Sequence, residues 1–468
     1  MYLVEAMRSE RITSICKEVL DENRVNNWTA PSKKVYPHQW LWDSCFHVIG
    51  IANYDIARAC NELRSLFRGQ WSNGMVPSIV LGQNFLSRKY WKSSLSPFAP
   101  SIPTSGITQP PLLAEALLKC VDVLLMEAQE SAAVALIREI LPKIINHHKW
   151  LYSNRDLGST GRLIIFHPWE TGLDSAPYWR TLVAKSKIPS WIKFAETTQL
   201  TKIITGFRHD VKNIDASQRI DNAYLLKLHH VAHLLRSCAY DSRKFMTKKS
   251  LAVESAFFNS VAVRNNIIIE SLAHVGNVPI TNMLSEKFKV AEGALSDFFD
   301  SAKGTFVNID HRTGERLDID SIEELLPIYS GVLTPTQTEL IVNKIEDPKK
   351  YYSKFPVPSV PLDSKNYDEE RYWQGPVWIN TNWLLANGLR HSGYKDKSYG
   401  LESLTCDLVE QGLFGNKHSH VLGSFSEKEQ HVTGKIYEYY SAKTGAGLGA
   451  ENFSWSASLT IDMLTRVG

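Results

Sequence analysis

Two carboxylates in widely separated segments have the surroundings that proton transfer to and from oxygen requires. In His167-Pro168-Trp169-Glu170-Thr171-Gly172-Leu173-Asp174-Ser175-Ala176-Pro177-Tyr178-Trp179, Glu170 and Asp174 stand four residues apart among tryptophans, prolines and a glycine. Rigid apolar walls raise a carboxylic acid's pKa, and a donor that protonates a leaving alcohol must stay protonated near neutral pH. The other reading of such a loop is that its acids cap helix N-termini. In Tyr437-Glu438-Tyr439-Tyr440, tyrosines flank Glu438, which suits a base that takes a proton from water. Gly445, Gly447 and Gly449 follow with only 23 residues (468 − 445) left after the first, too few for a dinucleotide unit. They read as a turn that lets backbone approach a ligand or a neighbouring loop.

Two further clusters say what such a pair would act on. Tyr372 to Trp383 (Tyr-Trp-Gln-Gly-Pro-Val-Trp-Ile-Asn-Thr-Asn-Trp) sets four aromatic rings among amides, a glycine and a proline, and Tyr36 to Asp43 (Tyr-Pro-His-Gln-Trp-Leu-Trp-Asp) repeats the recipe. Aromatic faces cover the apolar face of a pyranose ring while amides and carboxylates bond its hydroxyls, so both clusters suit a sugar.

Other chemistries find less support. His229 and His233 are spaced i,i+4, but position 230 is His rather than Glu, so the zincin pattern fails; His147/His148 and His418/His420 lack carboxylate partners in a recognised order. No metal and no cofactor is expected. The 468 residues are 43% hydrophobic and 22% charged, enough for one large core, and 52 basic against 49 acidic residues leave a net charge of +3 without a single-sign block. A nucleic-acid or membrane-surface partner is therefore not expected, and a small-molecule sugar is; oligomeric state is left open. Six cysteines without a C-x-x-C pair, and an N-terminus carrying acid and base where a signal peptide needs an apolar run, point to a cytoplasmic protein with reduced thiols.

In the surrounding scaffold, apolar residues recur at helical spacing over 111–128, 132–151, 222–236, 288–299, 334–345, 377–390, 399–411 and 453–466, while alternating strand patterns are few. The aromatic and carboxylate clusters fall in or beside the Pro-, Gly- and Ser-rich loops between them, which is where a helical scaffold displays a site. The expected fold is all-α, an α/α toroid with its site in loops at one end. No linker divides the chain, so a single domain spanning 1–468 is expected, with the less periodic stretch around 180–208 an inserted cap segment.

The motifs at 167–174, 371–383 and 437–455, with Trp40-Leu41-Trp42-Asp43 and Asn73-Gly74-Met75-Val76-Pro77, resemble glycoside hydrolase family 63, in the branch of mannosylglycerate and glucosylglycerate hydrolases. Arg208-His209-Asp210 and Asp221-Asn222-Ala223-Tyr224 match a further segment less closely. The resemblance spans residues 36 to 466 and implies an (α/α)6 barrel that hydrolyses an α-glycosidic bond with inversion. Residue by residue, it makes Asp174 the general acid and Glu438 the general base, carboxyls that inversion sets about 6.5–9.5 Å apart. It puts Trp42 and Asp43 at the bottom of the sugar pocket, Tyr372, Trp373 and Trp378 in its aromatic walls, and Gln109 near the ligand. Tyr36, Trp40, Glu170, Gly172 and Gly375, within the same motifs, complete the expected substrate-binding set. The sequence departs from the family at Gln374, where most relatives have arginine, and at Asp174-Ser175-Ala176-Pro177, where Asp-Asn-Ser-Pro is usual. Two alternatives therefore stand beside hydrolysis: an epimerase or isomerase on the same fold using His38, His47 or His167, and a sugar-binding homologue that has lost catalysis.

Overall fold

Helices in which nearly every residue is small or apolar have no polar stripe to turn toward water, and such helices must be buried on all sides. Leu41–Ile51 is buried at every position, and Ile379–His391 and Ser454–Val467 are buried along most of their length. In the computed structural model, which describes residues 2–82, 85–186, 189–198, 208, 210–212, 214–318, 320–415 and 432–467, these helices form the inner packing of a mostly helical protein. Leu41–Ile51 packs on Leu113–Met126, that helix on Ala256–Gly276, and that on the tight turn Leu326–Ser330. The turn packs on Ile379–His391, which packs on Ser454–Val467, which returns to Leu41–Ile51. Outside them, Tyr2–Glu22, Ile56–Leu66, Glu130–Asn154, Asn282–Ala294 and Lys395–Phe414 each lie against one or more of these helices.

Close helix approach is built into the small residues. A Cβ on Gly50 would stand 2.0 Å from the backbone oxygen of Ser458, whose hydroxyl donates to the carbonyls of Phe46 and His47 at 2.9 Å. Gly50→Ala must push apart Leu41–Ile51 and Ser454–Val467, and a loss of about 1–3 kcal/mol in urea unfolding is expected.

Each stretch with helical spacing lies on a helix, with shifted ends. The 288–299 stretch belongs to a helix that starts earlier, at Asn282, and tightens at Leu295–Phe298 before the strand Phe299–Asp300. Helices Leu41–Ile51 and Ala256–Gly276 escape periodicity because most of their faces are buried, and Ile56–Leu66, whose apolar face is clear, lies outside the stretches expected to be helical. Within 180–208, the described residues include the end of helix Pro177–Lys185 and helix Ser190–Thr197, which packs on Asn222–Ser237; positions 187–188 and 199–207 lie outside the described residues. So do His209, His418 and His420.

The loops are pinned to the helices by short strands. Tyr437–Tyr440 pairs antiparallel with Gly447–Glu451, a hairpin that the sequence presents as loop. Val377 and Tyr440 exchange both backbone hydrogen bonds, at 2.7 and 2.9 Å, which ties the 372–378 turn to that hairpin. Gln39–Trp40 pairs with Ile79–Val80 just before helix Leu41–Ile51 begins. Among the described residues, no helix is long and apolar enough to cross a membrane.

Candidate active site

The hairpin presents Glu438 to a set of donors. Its carboxylate accepts from Arg219 Nη2 at 2.6 Å and Nη1 at 3.3 Å, from the Ala450 N–H at 2.9 Å and from the Tyr36 hydroxyl at 3.2 Å. Arg219 and Glu438 are each 2% exposed, so this is a buried, bidentate ion pair. Burial works most strongly against the guanidinium's charge, but Glu438 and the surrounding Tyr36, Tyr439 and Tyr372 together hold the Arg219 pKa well above its ordinary value. Gly449 makes room for the pair: its φ is +75°, and a Cβ there would lie 2.7 Å from Glu438 Oε2. The glycines thus let backbone approach the facing strand, Gly447 against the Tyr437 ring and Gly449 against Glu438. Arg219 arrives from the turn Ala216–Gln218, which is fastened to the hairpin by Tyr439 Oη donating to the Gln218 carbonyl at 2.6 Å and the Gly449 N–H donating to Gln218 Oε1 at 2.9 Å.

Asp174 is placed differently. It keeps part of its surface open, accepts a long hydrogen bond from the Tyr372 hydroxyl at 3.4 Å, and its backbone carbonyl accepts from Tyr224 Oη at 2.9 Å. Burial pushes its pKa up to about 8; the Tyr372 hydrogen bond and Arg219 pull against that rise, and the charge of Glu438 adds to it. Tyr372 joins the two carboxylates in one site although 264 positions (438 − 174) separate them, since its hydroxyl reaches Asp174 while its ring lies 5.1 Å from the Arg219 guanidinium that holds Glu438. Asp43, 3% exposed in the first turn of its helix, is also lifted well above its ordinary value, first by burial and further by Glu438 and Asp174. One acid is therefore held protonated near neutrality beside another that is ion-paired, the division of labour that acid–base catalysis uses.

Around these carboxylates runs an aromatic wall. Trp373 and Trp378 stack at 3.7 Å with 5° between planes, and the Trp378 indole N–H donates to the Tyr372 carbonyl at 3.2 Å. Trp42 packs on Trp455 at 5.4 Å and near Trp373 at 6.5 Å, and Tyr36 meets Trp40 edge-on at 6.1 Å. Among the described residues, the buried indole N–H groups of Trp40, Trp373 and Trp455 have no hydrogen-bond partner, nor does Arg219 Nε. Buried donors without partners are costly, and hydroxyl-rich ligands supply the acceptors. Gly172 lets the wall close: its φ is +74°, and a Cβ would lie 2.3 Å from the Trp42 ring.

Three expected substrate-binding residues also make contacts within the fold. Glu170 is fully buried, bidentate to Arg155 and bonded by the N–H groups of Phe166 at 2.7 Å and Thr108 at 3.3 Å. Four donors saturate a carboxylate, so Glu170 shapes the 166–174 loop rather than reaching a sugar. Gln109 Oε1 accepts from the Trp42 N–H at 3.5 Å and so bears on the start of helix Leu41–Ile51. Gly375 donates its N–H to Ser359 Oγ at 2.9 Å, and a Cβ there would stand 2.2 Å from the Asp368 carbonyl oxygen, so its smallness is needed for loop packing.

The histidines of the isomerase alternative do not converge. His38 is bonded to Ser87 and the Gly82 N–H, His167 to the Leu228 carbonyl and the Trp169 N–H, and His47 is fully buried 3.8 Å from Glu62. His229 and His233 go to Tyr90 and Arg236, and His147 and His148 to the Val76 N–H and Asn266. Among the described residues, no group of three or more His, Cys, Asp or Glu could hold a metal ion. The sequence reading missed Arg219 outright. Its only signal was position, two residues before the Asp221-Asn222-Ala223-Tyr224 motif, which also carries the Tyr224 that holds the Asp174 carbonyl.

The sequence matches the mannosylglycerate hydrolase MGH1-like glycoside hydrolase domain over residues 36–456. It is 28% identical to the mannosylglycerate hydrolase of Rubrobacter radiotolerans, across 97% of both chains. It is 27% identical to the glucosylglycerate hydrolase of Mycolicibacterium hassiacum, across 71% of this chain and 74% of that protein. The crystal structure of a family 63 mannosylglycerate hydrolase from Thermus thermophilus in complex with Tris and D-glycerate superposes with a TM-score of 0.81 at 28% identity, covering 96% of this chain and 99% of that one.

Proposed function

The chain belongs to the mannosylglycerate hydrolase MGH1-like family of glycoside hydrolases, and from that premise we propose that it hydrolyses an α-linked glycoside of glycerate with inversion at the anomeric carbon. Asp174 protonates the glycosidic oxygen as the C–O bond breaks. Glu438 takes a proton from a water that attacks the anomeric carbon from the opposite face, so that one water is consumed and a free sugar and free glycerate leave. Arg219 and Tyr36 orient Glu438, and Asp43 with the unpaired indoles of Trp40, Trp373 and Trp455 holds sugar hydroxyls while the rings exclude solvent. Arg219 also gives the site a cation for the aglycone's carboxylate. The single observation that carries this reading is the unlike pair of carboxylates, Asp174 lifted to about 8 beside an ion-paired Glu438.

The cycle of helix contacts supports an (α/α)6 barrel in which Leu326–Ser330 stands for a shortened inner helix, within a single catalytic domain. The six cysteines, all free and buried, support a reducing cytoplasmic setting.

The reading is tested by incubating the purified protein with α-glucosides and α-mannosides, both glycerate glycosides and trehalose included, and following the released sugar by proton NMR. The β-anomer appears first if the reaction inverts; the α-anomer first, or no release from any glycoside, overturns it. A second expectation concerns pH. Because Asp174 must carry its proton, kcat/KM falls on the alkaline side with a midpoint near pH 8 and loses about tenfold per unit above it. In Tyr372→Phe, which removes the hydrogen bond that lowers this pKa, the midpoint moves upward. A profile flat through pH 9, or a midpoint that moves down in the variant, contradicts Asp174 as the acid.

A further inference from the structure

A cavity of about 680 Å³ lies between helix Pro177–Lys185, which begins three residues after Asp174, and the loop carrying Lys365, Tyr367, Asp368 and Gln374, the last residue of the Tyr372–Gln374 turn. Three of the residues that line it, one on the helix and two on the loop, carry a buried polar atom without a hydrogen-bond partner among the described residues: Arg180 Nη1, Tyr367 Oη and Gln374 Nε2. Each can donate. Unmade hydrogen bonds on buried donors are costly, and three around one cavity call for a ligand rich in acceptors.

Charge narrows the ligand. Arg180, Lys185 and Lys365 line the cavity against one acid, Asp368, whose carboxylate is already taken by Arg371 Nε at 3.0 Å. The other Arg180 terminal nitrogen holds Asp221 at 2.8 Å, and Lys185 faces Glu315 at 3.8 Å. A neutral sugar hydroxyl needs an acceptor as well as a donor, whereas donors among cations fit a group that only accepts. We infer that this cavity binds an oxyanion, a carboxylate or phosphate group, through the Gln374 amide, the Arg180 guanidinium and the Tyr367 hydroxyl.

The site is joined to the catalytic centre at both walls. Gln374 ends the turn that begins with Tyr372, and the Arg180 guanidinium lies 5.1 Å over the ring of Tyr224, the residue whose hydroxyl holds the Asp174 carbonyl. An oxyanion here is either an anionic extension of the aglycone or a free anion. Binding itself does not depend on the glycosidase reading; only the tethered source rests on it.

The test is calorimetric titration of the full chain with inorganic phosphate, beside Tyr367→Phe and the double variant Tyr367→Phe/Gln374→Leu, with melting curves to show that each folds. Binding to the parent, about tenfold weaker in the double variant, is the expected result. No binding to the parent, or equal binding to all three, overturns the site whatever the enzyme's activity. Kinetics then separate the sources. If the anion is tethered, phosphate competes with a glycoside whose aglycone bears a second anionic group, and the double variant raises KM for that glycoside alone while kcat holds. If it is free, phosphate binds without competing with either kind of glycoside.

Discussion

Replacing Asp174 by asparagine lowers kcat by about 10²–10⁴-fold and at the same time raises the melting temperature at pH 8–9. The first effect follows because an amide cannot deliver a proton to the departing oxygen. The second follows from the same burial that suits the residue to be an acid. In the folded chain Asp174 titrates at about 8, against an ordinary value of 3.8, so between those values the folded protein keeps a proton that the unfolded chain releases. The stability held by the neutral acid is complete below pH 4 and is lost as pH rises through 8. Asparagine has no charge to bury, so the variant's advantage grows with pH and vanishes near pH 4. Turnover measured at saturating substrate, together with melting curves across pH 4–9, checks both halves. Undiminished turnover removes Asp174 from the chemistry, and a variant less stable than the parent at pH 9 shows that the carboxylate is not under strain. A site residue that destabilises its own fold is the expected signature of function bought at the expense of packing.

Arg219→Met strikes the other carboxylate and is expected to lose about 3–5 kcal/mol of stability. With Arg219 gone, Glu438 remains 2% exposed and keeps the Ala450 N–H and the Tyr36 hydroxyl, but has no buried cation beside it. A loss of that size is a large share of the 5–15 kcal/mol that typically holds a domain folded, so the variant should unfold at a far lower urea concentration. The double variant Arg219→Met/Glu438→Gln removes the stranded charge and should recover much of the loss, so the two changes are strongly non-additive. Strict additivity in urea unfolding would mean that the pair is not coupled in solution. Hydrolysis should be abolished in both variants, in one because the base has lost the cation that orients it and in the other because it is replaced.

Much of the site was legible because its chemistry is concentrated in short runs. Glu438 and its tyrosines, Asp174 between tryptophans, and the Tyr372–Trp383 aromatics each carry a local composition that a core or surface segment has no reason to assemble. Arg219 carried no such mark: an arginine at the end of the polar run Asp215-Ala216-Ser217-Gln218 looks like solvent-facing charge until a hairpin more than two hundred positions away closes over it. Glu170 shows the opposite failure. Sharing a loop with Asp174, it reads as its equal, yet Arg155 and two backbone N–H groups absorb it completely.

By itself, the sequence determined the helical character of the scaffold and the short motifs that match a family of sugar hydrolases, since helical spacing and residue type are local properties. Only the tertiary structure decided how the environments of the two carboxylates differ, Asp174 lifted by burial and Glu438 held in an ion pair. That difference depends on burial, on the Tyr372 hydroxyl and on the position of one guanidinium, and these become neighbours only when the inner helices pack and the 437–451 hairpin is tied to Val377. Charge in a low-dielectric interior is governed by distance in space, and distance along the chain carries almost none of that information.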